Sequence, residues 1–277
     1  MKFEGSFKNK DAQNLVYRAF IPENPKAAVV LVHGMGEHSL KYDYMAEMFY
    51  DKGLAFFSYD QRGHGRSDGK RGHANSYADL LEDLRQFTDI AKVESLREDV
   101  YLLGLSMGGL TSLLFAIEYG ERIKGVIASS PALRLVKPPT GIEASLAEPL
   151  AFLFPTLTTS NRVPFEDLTH DAAAIEAQKA DKLSIRIISF RMYVEMTKAM
   201  RYAFDNASKI TAPVLLLHGT GDKVIDSKAT KEFCDKMGSA DKEVRLYDGL
   251  YHELLRETNR REIIEGIIDW VSSRAGK

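Results

Sequence analysis

Ser106 lies in Gly104-Leu105-Ser106-Met107-Gly108-Gly109, between a short apolar run at 100–103 and a helical stretch at 110–119. A serine held between glycines at a strand-to-helix turn projects its hydroxyl from a strained elbow at the end of a sheet. Glycine at 104 and 108 removes side chains that would collide with neighbouring backbone. The unpaired N–H groups and the dipole of the following helix N-terminus favour negative charge developing beside that hydroxyl. The setting suits nucleophilic attack on a carbonyl carbon. A serine hydroxyl is a weak nucleophile at neutral pH, so this chemistry needs a histidine base within hydrogen-bond reach and a carboxylate to orient it. Of the seven histidines, His33, His64, His218 and His252 stand near the ends of strand-like runs; Asp222 and Asp226 both follow the run at 213–217.

Those residues need elements to carry them. At 277 residues the chain can form one large α/β domain or a domain with a sizeable insertion. Lys and Arg number 37 against 39 Asp and Glu, so charge gives no case for nucleic acid. No run of about 18 uncharged apolar residues suggests a membrane span, and the residues from Met1 to Gly5 lack the apolar segment of a secretory signal. The single cysteine, Cys234, reads as a buried thiol on a helix over 227–237, and a cytoplasmic location is expected. Continuous apolar runs at 28–32, 54–59, 126–129 and 213–217 suit parallel strands buried on both faces. Amphipathic stretches at 42–52 and 77–94 lie between them. The alternation implies an α/β fold with a doubly wound, mostly parallel sheet, begun by an antiparallel pair at 3–7 and 15–20.

The alternation fails over 134–206. This stretch opens on Lys137-Pro138-Pro139-Thr140-Gly141, shows no convincing strand, and holds helix-like segments near 142–154, 171–179 and 189–204. It is too long for a structureless loop. The expected division is therefore a core of 1–133 and 207–277 with a helical cap inserted at 134–206, and a closing helix at 261–271.

On such a sheet the nucleophile elbow of the α/β hydrolases is followed in chain order by the acid and then the histidine. Asp222 comes first after the run at 213–217, in His218-Gly219-Thr220-Gly221-Asp222, whereas Asp226 reads as a helix N-cap before Ser227. His252 alone among the histidine candidates follows both that acid and the last expected strand, at 244–247. Ser67, in Gly63-His64-Gly65-Arg66-Ser67, reads as a turn residue. An oxyanion hole needs two backbone donors; Met107 N–H follows the nucleophile, and Met35 N–H lies in the glycine-rich loop after the run at 28–32.

Five segments together resemble the monoacylglycerol lipase and lysophospholipase family of α/β hydrolases. They are His33-Gly34-Met35-Gly36-Glu37-His38-Ser39, the stretch from Asp60 to Ser67, the elbow at 104–109, His218 to Asp222, and Tyr247 to Glu253. The resemblance implies Ser106, Asp222 and His252 as triad, with Met35 and Met107 as oxyanion donors. It also implies Glu37 and Lys41 at the glycerol end of the pocket. The family often has arginine where Lys41 stands, and some members have histidine where Leu105 stands, so the alcohol end differs here.

Within the cap, Ile142, Leu146, Leu150, Leu153, Phe154 and Leu157 fall near one helical face, with Phe152 outside it. Two readings are open: packing of the cap on the core, or an acyl-chain entrance with Leu146, Leu150 and Phe152 that touches micelle or membrane surfaces. The expected activity is a serine carboxylester hydrolase cleaving monoacylglycerols to fatty acid and glycerol. Lysophospholipase, aryl- or short-chain carboxylesterase, thioesterase and proline-type aminopeptidase are the alternatives, with a catalytically silent binding module more remote. No metal, organic cofactor or obligate protein partner is expected; the histidines and carboxylates show no compact ligand spacing.

Overall fold

The computed structural model describes residues 1–160 and 163–276, apart from the side chains of 142–144. In chain order it has β1 (Lys2–Lys8), β2 (Asn14–Phe20), β3 (Ala28–Val32), α1 (Asp43–Asp51), β4 (Ala55–Tyr59), α2 (Tyr77–Ser95), β5 (Val100–Leu105), α3 (Met107–Tyr119) and β6 (Gly125–Ser129). Next come α4 (Gly141–Leu153), β7 (Thr158–Ser160), α5 (Ala172–Ala180), β8 (Ile187–Ser189) and α6 (Phe190–Asn206). The chain closes through β9 (Val214–Gly219), α7 (Ser227–Lys236), β10 (Lys242–Tyr247) and α8 (Arg260–Ser272).

Eight strands form one sheet in the order β1-β2-β4-β3-β5-β6-β9-β10. β1 pairs antiparallel with β2 and β2 with β4; every other pairing is parallel. β3 to β6 and β9 are buried at every residue, because helices cover both faces. α2, α3, α6 and α7 pack on one side, α1 and α8 on the other. α8 buries Ile263, Ile264, Ile267, Ile268 and Val271, each worth about 1.5–3 kcal/mol on removal from water. From β3 the chain steps to β4 on one side and returns to β5 on the other. The crevice beyond the C-terminal ends of β3 and β5 is thus the switch point where such sheets bind ligands.

Between β6 and β9 the structure departs from expectation in two ways. β7 and β8 form an antiparallel pair, Thr158 opposite Ser189 and Ser160 opposite Ile187, where no strand was expected. Three-residue strands joined by a long connection carry too little periodicity to be seen in sequence. α6 does not belong to the cap alone: Met192, Met196, Ala199, Met200 and Ala203 share one buried cluster with α2 and α3. The structure also decides against one of the two readings of α4, because its large apolar side chains do not pack on the core. Ala147 and Ala151 face inward against Val194, while Leu146, Leu153 and Phe154 are exposed. The small side chains let α4 lie close on α6, and the large ones are left outside. Phe152, at 79% exposure, is also outward, Leu150 is half-buried, and the Ile142 side chain lies outside the described residues. No described helix is long and apolar enough to cross a membrane.

Candidate active site

β5 ends at Leu105 and α3 begins at Met107, so Ser106 alone makes the turn, at φ 51° and ψ −115°. A non-glycine residue held there stores about 1–3 kcal/mol of strain. Three hydrogen bonds hold it in place. Ser106 N–H donates to Ser129 O at 3.0 Å, and Ser106 O accepts from Leu110 and Ala132 N–H, each at 3.0 Å. The flanking glycines are a steric requirement. A Cβ on Gly104 would fall 2.2 Å from Gly108 O, and one on Gly108 would fall 1.9 Å from Val32 O.

Asp222 follows β9, and its side chain is fully buried. Its Oδ2 accepts from His252 Nδ1–H at 2.7 Å and from His218 Nε2–H at 2.9 Å. Its Oδ1 accepts from the N–H groups of Val224 at 2.7 Å and Ile225 at 3.0 Å. Burial would raise the Asp222 pKa, but the charge of His252 and the two imidazole N–H groups outweigh it and hold the carboxyl well below its ordinary range. For His252 burial pulls the pKa down and Asp222 more than offsets it, leaving the imidazole raised above its ordinary value. With Nδ1–H committed to Asp222, Nε2 is the nitrogen left to work as base. Ser106 and His252 line the same cavity, of about 100 Å³. Asp226 lies elsewhere, capping α7 through Lys228 N–H at 3.0 Å.

The loop after β3 carries Met35 and presses on Ser106; a Cβ on Gly34 would lie 3.4 Å from Ser106 Cβ. Gly36 takes φ +81°, and a Cβ there would meet Ile185 O at 2.3 Å. Glu37 fastens this loop. Its Oε2 accepts from Gly34 N–H at 2.8 Å and from Tyr42 O–H at 2.7 Å, and its Oε1 from Lys41 Nζ at 3.2 Å. Burial opposes the charge on Glu37, but Lys41 and Tyr42 prevail and bring its pKa to about 2. Beneath the loop His33 donates Nδ1–H to Gly34 O at 2.7 Å and accepts Gln61 N–H at 3.0 Å. His64 sits beside it, its Nε2 3.4 Å from Met35 Sδ, and burial lowers its pKa to about 3. His33 and His64 are therefore built into the support of the loop.

The sequence-derived residues thus divide. Ser106, His252, Met35 and Glu37 line the cavity, and Asp222 stands directly behind His252. Met107 has its side chain in the core and offers the first N–H of α3 beside Ser106. Lys41 pairs with Glu37 and donates to Gln178 Oε1, which also accepts from Arg256. Leu146, Leu150 and Phe152 are not among the residues lining the cavity. Sequence reasoning missed His218, Gln178, Glu253 and Arg256. His218 had a readable signal, its place on the strand four residues before Asp222. Gln178 had none, since it arrives from α5. Burial raises the Glu253 pKa, against the pull of Lys41 and Arg256. Among the described residues no group of three His, Cys, Asp or Glu is placed to hold a metal ion.

This sheet, with a serine elbow at its switch point and a buried Asp–His pair at the neighbouring strand ends, is that of an α/β hydrolase. Residues 23–259 match the family described as serine aminopeptidase, S33, and the chain belongs to it. It is 29% identical to a monoacylglycerol lipase of Mycolicibacterium smegmatis, over 98% of this chain and 97% of that one. The crystal structure of Paleococcus ferrophilus monoacylglycerol lipase superimposes with a TM-score of 0.84, at 31% identity, over 99% of each chain. An uncharacterized abhydrolase domain-containing protein of Dictyostelium discoideum is 31% identical over 95% of this chain, which spans only 28% of that protein's length. The chain is an ester hydrolase.

Proposed function

We propose that this hydrolase cleaves monoacylglycerols, releasing fatty acid and glycerol through an acyl-enzyme on Ser106. The observation that carries the reading is the shared cavity: Ser106 and His252 line it, with Asp222 bonded to His252 Nδ1–H at 2.7 Å. His252 Nε2 takes the Ser106 proton as Oγ attacks the ester carbonyl, and Asp222 stabilises the imidazolium. The N–H groups of Met35 and Met107 receive the oxyanion. His252 then protonates the departing alcohol, and water attacks the acyl-enzyme with the same base.

The head-group end favours a neutral polyol. Glu37 and Glu253 face it, and the nearby cations are engaged: Lys41 by Glu37 and Gln178, Arg256 by Glu253 and Gln178. Arg186 donates to Val163 O at 2.5 Å and lies over the Phe165 ring. A phosphodiester would find these cations already bonded within the protein, which favours monoacylglycerol over lysophospholipid. The outward apolar residues Leu146 and Phe152, with the half-buried Leu150 between them, then serve as a docking surface on micelles or bilayers, the cap of 134–206 covers the site, and the enzyme works in the cytoplasm at lipid surfaces. Initial rates on a monoacylglycerol, a lysophosphatidylcholine and a short aryl ester test this. The expected order in kcat/KM places the monoacylglycerol first; a lysophospholipid preferred over it overturns the head-group reading.

A further inference from the structure

We propose that Ser129 holds the water that hydrolyses the acyl-enzyme, an inference that rests on Ser106 being the nucleophile. Ser129 ends β6, is 1% exposed, and its Oγ has no hydrogen-bond partner among the described residues. Buried hydroxyls are nearly always bonded, so an orphan calls for a partner from outside the protein. The cavity supplies the route, because Ser129 lines it together with Ser106 and His252.

Its reach is short. Ser129 pairs with Leu105 across β5 and β6, and its carbonyl accepts Ser106 N–H at 3.0 Å. Ser129 therefore sits at the strand end directly beside Ser106. Sheet order selects among the reacting oxygens. β3, which leads into the Met35 loop, lies on one side of β5, whereas β6, β9 and β10 lie on the other. The carbonyl oxygen turns toward the β3 side. The oxygen that exchanges a proton with His252, which follows β10, turns toward the β6 side with Ser129.

That second oxygen differs between the two half-reactions. The departing alcohol carries one hydrogen, received from His252. Water carries two. One passes to His252 Nε2 as the water oxygen bonds to the acyl carbon, and the other needs an acceptor, for which Ser129 Oγ has open lone pairs. Collapse of the tetrahedral intermediate then breaks the bond from the acyl carbon to Ser106 Oγ, and His252 returns its proton to that oxygen. Fatty acid leaves and the serine is restored. Ser129 is thus a positioning residue for water, with little part in handling an alcohol.

Partition of the acyl-enzyme reads this directly. The protein is supplied with an aryl ester in aqueous methanol, and chromatography measures fatty acid against methyl ester. In Ser129→Ala the ratio of methyl ester to acid is expected to rise about tenfold, the order of one oriented hydrogen bond. The burst of phenol that reports acylation persists, and Ser129→Thr, which keeps the hydroxyl, restores the ratio. An unchanged ratio in Ser129→Ala overturns the proposal, as does an equal fall in acylation and both deacylation routes. Failure of the nucleophile assignment looks different, because the unsubstituted protein would then show no burst and no fluorophosphonate label on Ser106.

Discussion

The two halves of the segment between β6 and β9 are built on opposite principles. The half around α5 is tied down by directional polar contacts. His38 Nε2–H donates to Asp181 Oδ2 at 2.7 Å, Ile185 N–H to Gly36 O at 2.9 Å, and Arg260 Nη1 to Asp171 Oδ2 at 2.5 Å. Gln178 accepts from both Lys41 and Arg256. The first two of these ties end on the loop that carries Met35. The half around α4 instead shows Leu146, Phe152, Leu153, Phe154 and Leu157 to solvent and meets α6 through Ala147 and Ala151. Hydrogen bonds fix position and direction, whereas apolar contact is non-directional. The clamped half therefore suits holding an oxyanion site in register, and the apolar half suits meeting a dispersed substrate.

The comparison can be broken most forcefully at Arg256. Arg256→Ala takes the ion pair from the half-buried Glu253 and one donor from Gln178. A loss of about 1–3 kcal/mol is expected from denaturant titration, with lower kcat/KM on soluble and dispersed esters alike. Unchanged stability would show that the clamp is ornamental.

Acidity separates the clamp from the catalytic base. Burial opposes the charge on Asp181, but Ser184 and His38 bring its pKa to about 2. This anchor therefore contributes fully above the unfolded value of about 3.9 and is lost as pH falls through about 2. The stability gap between the protein and Asp181→Asn should close over that window. His252, with its pKa raised, behaves the other way. Its contribution to stability is complete below about 6.5 and is lost as pH rises through the folded value. In the proposed mechanism activity needs the neutral imidazole, so it should climb over the same rise, and Asp222→Asn should move the kinetic midpoint down. A midpoint that ignores Asp222 would contradict the assignment.

The smallest effect on stability belongs to the apolar half. Replacing Leu146 and Phe152 with serine should leave stability within about 0.5 kcal/mol. Turnover of a short soluble ester should hold, while turnover of long-chain monoacylglycerol in vesicles falls about tenfold. Equal losses on both substrates would erase the distinction between the halves.

What the sequence made legible follows from where its signals are local. The elbow at Ser106 was readable because only glycine fits against Val32 O and Gly108 O, and buried parallel strands such as β3 and β9 announce themselves as unbroken apolar runs. Chain order alone brought Asp222 and His252 forward. Contacts made across long sequence separations were hidden. Gln178 reaches Lys41 and Arg256 only once α5 is docked, β7 and β8 are too short to pattern, and Ser129 reads only as the last residue of the strand-like run at 126–129. α4 left two readings open because large apolar residues can face core or solvent, and close approach to α6 selected the alanines for the inner face.

The most direct test is covalent. The intact protein is treated with a fluorophosphonate bearing a long alkyl chain, and the modified peptide is mapped by mass spectrometry. One label is expected, on Ser106, forming faster as pH rises through the raised His252 pKa and disappearing in Ser106→Ala. A label on another serine, or none on a folded protein, would contradict the assignment of Ser106 as nucleophile.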